Sequence, residues 1–61
     1  MTPKEARSLY PQTVVINTNT QALGVVQEIG QWSVKIDWRA GDVNGLVGWF
    51  AFNTLGNVRV Y

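Results

Sequence analysis

The sequence contains no cysteine and no histidine. Disulfides, thiolate ligands and imidazole ligands are therefore excluded, and the four Asp and Glu side chains that remain leave no plausible zinc site. We expect neither a metal nor a cofactor. Catalysis by the usual Ser-His or Cys-His arrangements is excluded for the same reason, since Ser8 and Ser33 have no base to activate them. The sequence therefore predicts a protein that is not an enzyme, with no catalytic residues.

Long apolar runs and strong charge are also missing. No run approaches the roughly 18 residues that a membrane-spanning helix needs, and the first ten residues carry charges without an apolar segment behind them. We therefore expect a cytoplasmic protein that does not contact membranes. Five Lys and Arg against four Asp and Glu give a net charge of +1, whereas nucleic-acid-binding domains are usually distinctly basic. Charge alone thus does not favour nucleic acid as the partner.

Aromatic residues are plentiful for a chain of 61 residues, with three Trp, two Phe and two Tyr. A domain of this size buries only about 60% of the surface that its unfolded chain exposes, so its core is thin. Large aromatic side chains provide much buried area in such a core. Stability is expected to come from this packing or from self-association, so a homo-oligomer is one possibility.

Residues 1–12 carry the signature of a short helical segment. Thr2 is placed to cap the helix, Pro3 suits its first position, and Glu5 completes a capping box. Pro11 ends it. One or two turns are not stable alone, so the apolar side chains of the segment are expected to pack against an open end of the remaining domain, residues 13–61. These side chains are Ala6, Leu9 and Tyr10.

The remainder of the chain is predicted to form five short strands with polar or glycine-containing turns between them. The strands are predicted at residues 13–17, 22–29, 32–39, 46–50 and 58–61, with a 3₁₀-like turn at residues 52–55. In the third strand, alternation predicts one face with Trp32, Val34, Ile36 and Trp38, and the opposite face with Ser33, Lys35, Asp37 and Arg39. The expected core residues are Val34, Ile36, Phe50, Leu55, Val58 and Val60.

The connection between the third and fourth strands is predicted to be a tight hairpin. Asn44-Gly45 suits the two central positions of a type I′ turn, which both need positive φ. Val43 falls out of phase with Trp38, so a β-bulge at Ala40-Gly41 is expected to reset the alternation.

This pattern resembles the SH3-like barrels. The residues that carry the resemblance to the distal half of SH3 domains are Trp38-Arg39, Gly41, Asn44-Gly45, Gly48-Trp49-Phe50, Asn53 and Leu55. The first half, with Gly24-Val25-Val26, is similar to bacterial SH3-like, KOW and Tudor barrels, whose second strand opens with Gly-x-Val. The resemblance implies an all-β, five-stranded SH3-like barrel with a short N-terminal helical turn and a 3₁₀ turn before the last strand.

The resemblance also implies a binding surface. Trp38 occupies the position of the first Trp of the SH3 peptide groove, and Trp49 matches a position that lines its specificity pocket. Ala51 and Thr54 replace the Pro and Tyr of that groove, which argues against the standard proline-peptide site. We therefore expect an aromatic patch of Trp38, Trp49 and Phe52 that binds a protein or peptide partner, or another copy of the chain.

Two alternatives remain open. In a KOW or Tudor-type barrel that binds nucleic acid, Lys35, Arg39 and Arg59 would contact phosphates beside the Trp rings. The final Val58-Arg59-Val60-Tyr61 run distantly resembles the Val-Gln-Ile-Tyr run of the small plasmid dihydrofolate reductases, although it lacks the Gln.

Asp37 and Asp42 could form a carboxylate pair, but such surface pairs are far more often solvated charges than an acid and a base.

Overall fold

A computed structural model describes residues 1–39 and 46–61 of the chain. Within these ranges a short helix is followed by antiparallel strands and one 3₁₀ turn. The elements are α1 (Pro3–Arg7), β1 (Val14–Asn17), β2 (Leu23–Ile29), β3 (Ser33–Trp38), β4 (Leu46–Ala51), η1 (Phe52–Thr54) and β5 (Val58–Val60). The expected all-β class, with five strands, one short helix and a 3₁₀ turn, is confirmed. The predicted Ala40-Gly41 bulge and Asn44-Gly45 turn lie outside the described residues.

The strands form a single sheet in the order β4-β3-β2-β1-β5. Strand β2 is central and pairs with both β1 and β3, and its register against β3 shifts between Val26 and Glu28. Such an irregularity bends a strand and increases its twist. Strands β4 and β5 are the two edges of the sheet, and η1 lies between them in the chain.

One face of the sheet, here called the inner face, carries the core. Its fully buried side chains belong to β1, β2 and β3, and they are Val15, Val26, Val34 and Ile36. Residues from the helical elements and from β5 complete the core, namely Ala6, Phe52, Leu55 and Val58. Trp38 is also buried, so the predicted alternation of Val34, Ile36 and Trp38 is confirmed.

Three expectations about buried side chains, those for Phe50, Val60 and Tyr10, are wrong or met only in part. Phe50 is only half buried and packs edge-on against Trp38, with the ring centroids 6.2 Å apart. Val60 lies opposite Val15 but remains 57% exposed, because it ends an edge strand. Tyr10 lies beyond the end of α1 and is exposed, and Trp32, which precedes β3, is 68% exposed.

The tightest approach in the core involves Gly24 in β2. A Cβ atom at this position would lie 2.6 Å from Ile36 Cγ2 and 2.8 Å from Trp38 Cε3. Ile36 and Trp38 are both buried and their contacting atoms belong to a branched side chain and a ring, so neither can move aside easily. The backbone of β2 therefore packs directly against β3 side chains.

We predict that Gly24→Ala destabilises the protein by roughly 1–3 kcal/mol, because the added methyl group overpacks the core. Gly56→Ala is the matched control, since nothing lies within 4 Å of a Cβ atom there. The control should be neutral or slightly stabilising. Urea unfolding of both variants measures the difference. If Gly24→Ala were as stable as Gly56→Ala, the close packing at Gly24 would be wrong.

Candidate functional site

The three aromatic residues predicted to bind a partner occupy different environments. Trp38 is 9% exposed and Phe52 is 4% exposed, so both rings belong to the core. Trp49 is 50% exposed. It lies opposite Lys35 in the β3–β4 ladder, and its ring approaches Gly30 in the turn before β3.

The structure does not bring these three rings onto one surface. Trp38 pairs with Leu46 and lies on the inner face, whereas Trp49 is an odd number of positions from Leu46 and so lies on the opposite, outer face. Phe52 is in η1, which directly follows β4 in the chain. Trp49 is therefore the only one of the three that is available to a partner without a rearrangement of the core.

The three basic residues predicted as nucleic-acid contacts are spread over the outer face. Lys35 lies in the middle of β3, Arg39 directly follows that strand, and Arg59 is on β5, separated from them by β2 and β1. Lys35 lies opposite the acidic residue Glu28 in the β2–β3 ladder. Arg39 binds a carboxylate of its own strand. The described residues therefore do not form a single basic surface.

Asp37 was expected on an exposed face, but it is only 6% exposed. It does lie on the outer face, where Val25 and Val47 are directly opposite it on the two neighbouring strands. The Arg39 Nε and Nη2 atoms donate to Asp37 Oδ2 at 2.9 Å and 2.8 Å. Oδ1 is buried and has no hydrogen-bond donor within residues 1–39 and 46–61. Asp42, its predicted partner, lies outside the described residues.

A separate cavity of about 270 Å³ opens between α1, η1 and the start of β3. We call it the η1 pocket, and its lining residues are Pro3, Arg7, Trp32, Ala51, Phe52 and Asn53. The Arg7 guanidinium lies over the Phe52 ring, with Cζ 5.9 Å from the ring centroid. At this distance a cation interacts favourably with the face of an aromatic ring.

Trp32 is held at the rim of the pocket by its backbone. The Phe52 amide donates to the Trp32 carbonyl oxygen at 3.0 Å, which continues the β3–β4 ladder by one pair. The indole, one residue before β3, is 68% exposed. Strand alternation predicted only that Trp32 shares the face of Val34 and Ile36, and it does not show where the strand begins.

Helix α1 places Pro3 and Arg7 at the pocket. The Thr2 hydroxyl accepts from the Glu5 amide at 3.2 Å, and Glu5 Oε1 accepts from the Thr2 amide at 3.0 Å. These contacts confirm the predicted capping box. Ala6, on the buried side of the helix, fixes α1 to the core. The sequence signal was thus sufficient to find the helix, but gave no indication that Arg7 would meet Phe52.

The described parts of the chain contain no group of three acidic side chains that could hold a metal ion. Nor do they include a helix of the length and apolar character needed to cross a membrane. Comparison with known proteins gave no match, whether with protein-family models, curated proteins or solved structures.

The capping box makes the helix sensitive to acid. The Thr2 amide, and after it the Thr2 hydroxyl, lowers the pKa of Glu5 below its ordinary value of 4.5. A lowered pKa in the folded state means that the carboxylate stabilises α1 above the ordinary value, and that this stabilisation is lost as the pH falls through the folded value. We predict that the Glu5 pKa, measured by NMR titration, rises towards its ordinary value in Thr2→Ala. An unchanged pKa would contradict the capping role of the Thr2 hydroxyl.

The burial of the Asp37 carboxylate leads to a second prediction. Replacing a buried ion pair by an apolar side chain of similar size is often neutral or stabilising, and Asp37 already lies between two valines. Asp37→Val should therefore be as stable as the parent or more stable, by up to about 1 kcal/mol. Thermal unfolding measures the change. A large loss of stability would show that the buried carboxylate has a further partner.

Proposed function

We propose that this protein is a non-enzymatic interaction module that binds an extended segment of a partner protein at the η1 pocket. The observation that carries the proposal is the exposed Trp32 indole beside the Arg7 guanidinium, over the buried Phe52 ring. Exposed Trp and Arg are the side chains most enriched where proteins bind one another tightly. Phe52 remains part of the site as its floor, and Trp38 belongs to the same core.

We further propose that the sheet curls into an SH3-like small barrel. The support comes from the core: four inner-face side chains are completely buried, although the helical elements that cover them in the described part of the chain are a five-residue helix and a three-residue turn. A flat sheet of five strands would be about 19 Å wide, which is more than two such short elements cover. If the sheet curls, its inner face covers itself, and residues 52–57 connect the two edge strands across the remaining opening.

The chemistry of the η1 pocket indicates an extended segment with an apolar side chain and a nearby carboxylate. Apolar surface of Trp32, Phe52 and Pro3 suits the side chain. Arg7 presents an exposed guanidinium, which binds carboxylates in a two-pronged geometry. The volume of about 270 Å³ accommodates one or two side chains rather than a large folded ligand.

The pocket can be tested with a displayed random-peptide library selected on the wild-type protein. We predict that selected peptides carry Asp or Glu close to an apolar residue. Trp32→Ala should reduce binding of a selected peptide to the monomer by at least tenfold, whereas Trp49→Ala, which removes a half-exposed Trp that does not line the pocket, should not. Arg7→Ala should weaken binding in a salt-dependent way.

Lys4→Ala is the matched control for Arg7→Ala, because Lys4 has the same charge and the same helix but does not line the pocket. Equal effects of the two variants would mean that only net charge matters. Single-stranded oligonucleotides form a further arm of the experiment. Binding of these that depends on Lys35 and Arg59, with no effect of Trp32→Ala, would replace the proposal by nucleic-acid recognition.

A further inference from the structure

Strand β4 leaves one edge of the sheet open. It pairs with β3 on one side, and no other strand among the described residues pairs with it. The strand is six residues long and its sequence, LVGWFA, contains neither a charge nor a proline. The other edge strand, β5, has only three residues and carries Arg59 at its centre.

The register shows which backbone groups of β4 face the open edge. The Phe52 amide donates to the Trp32 carbonyl oxygen of the residue directly opposite it. Hydrogen-bonded pairs alternate along an antiparallel ladder, so Phe50 and Gly48 also direct their backbone groups to β3. Val47 and Trp49 consequently direct their N–H and C=O groups to the open edge. The Ala51 carbonyl accepts from the Thr54 hydroxyl at 2.7 Å and is already occupied.

Soluble proteins usually protect such an edge with Lys, Pro, a bulge or a short strand. Strand β4 shows none of these between Leu46 and Ala51. Moreover, its two residues with edge-facing backbone groups are large and apolar, and they are 48% exposed at Val47 and 50% exposed at Trp49. This combination is typical of a strand that pairs with another chain.

We propose that β4 pairs antiparallel with β4 of a second copy of this chain, about a two-fold axis at Gly48. In this register Val47 of each copy lies opposite Trp49 of the other. Both Val47–Trp49 pairs exchange their N–H···O bonds through groups that have no partner within residues 1–39 and 46–61. Gly48 meets Gly48 at the axis as a non-hydrogen-bonded pair, the type of pair in which the two Cα atoms approach most closely.

A second copy fits this edge because the strand is complementary to itself. It contains no charge that would repel its copy or select a partner of opposite charge. The Val47–Trp49 contact is a pair of a β-branched and an aromatic side chain, which stabilises neighbouring strands. In the proposed dimer, each line of outer-face side chains across the joined sheets contains Asp37 and Val47 of one copy, followed by Trp49 and Lys35 of the other. Each such line therefore carries one negative and one positive charge, and no like charges meet.

The test is sedimentation equilibrium of the full chain up to millimolar concentration, with variants that alter only the edge. Val47→Lys introduces a protective charge and should weaken dimerisation at least tenfold. Val60→Lys is its matched control, since Val60 is a similarly exposed valine on the opposite edge strand. This control should leave the dissociation constant within about twofold.

A second pair of variants tests the backbone directly. Val47→Pro removes an N–H that faces the open edge and not β3, so the sheet tolerates it while the dimer loses a hydrogen bond at each Val47. Val47→Thr keeps the N–H and the β-branch. We expect Val47→Pro to weaken the dimer at least tenfold and Val47→Thr to preserve it, with unchanged circular dichroism for both.

Three results would overturn the proposal. The wild-type chain could remain monomeric throughout, in which case β4 accepts a strand of another protein or none. Val60→Lys could dissociate a wild-type dimer that Val47→Lys leaves intact, which would place the contact at β5. Val47→Pro and Val47→Thr could have equal effects while both remain folded. If Val47→Pro unfolds, the comparison of the two Lys variants decides. None of these results depends on peptide binding at the η1 pocket.

Discussion

The structure depends on the contact between the β2 backbone at Gly24 and the side chains of Ile36 and Trp38. A chain this short has few residues with which to cover an apolar sheet face. Because Gly24 has no side chain, β2 and β3 bring their inner-face groups close enough to exclude water from Val26 and Ile36. The register shift after Val26 then bends β2 where it leaves this contact.

The demands of that core determine which groups remain outside it. Two helical elements, α1 and η1, are needed to cover the open end of the inner face, and their meeting brings Arg7 over Phe52. Trp32 lies one residue before β3, where the sheet ends, so its ring extends past the covered surface. The η1 pocket is therefore a consequence of how a short sheet is closed. Alternation, in turn, directs Trp49 outward because its neighbour Phe50 packs on Trp38.

Local signals predicted the local structure well. The capping box of α1 involves residues only three apart, and the alternation of Val34, Ile36 and Trp38 follows from strand geometry. The errors arose where elements end. Periodicity gives the phase of a strand but not its boundaries, so it predicted burial for Phe50 and Val60 although the sheet offers them too few neighbours.

The candidate site was much harder to predict. Arg7, Trp32 and Phe52 come from three separated parts of the chain, and no spacing rule connects them. Asp37 was predicted on the outer face and does lie there, but its burial could not be predicted from its own strand. That burial depends on valines of both neighbouring strands. A solvent-facing phase therefore does not ensure solvent exposure when the flanking strands carry apolar side chains.

The η1 pocket and the β4 edge meet at Ala51, but they use different groups. Ala51 lines the pocket, and its carbonyl oxygen already accepts from the Thr54 hydroxyl. Pairing about Gly48 uses the backbone groups of Val47 and Trp49, neither of which lines the pocket. Each copy in the proposed dimer therefore keeps its own pocket residues out of the strand pairing. Because the two pockets belong to one particle, a partner with two suitable segments would bind the second at a raised effective concentration, which compensates for the small area that each pocket offers.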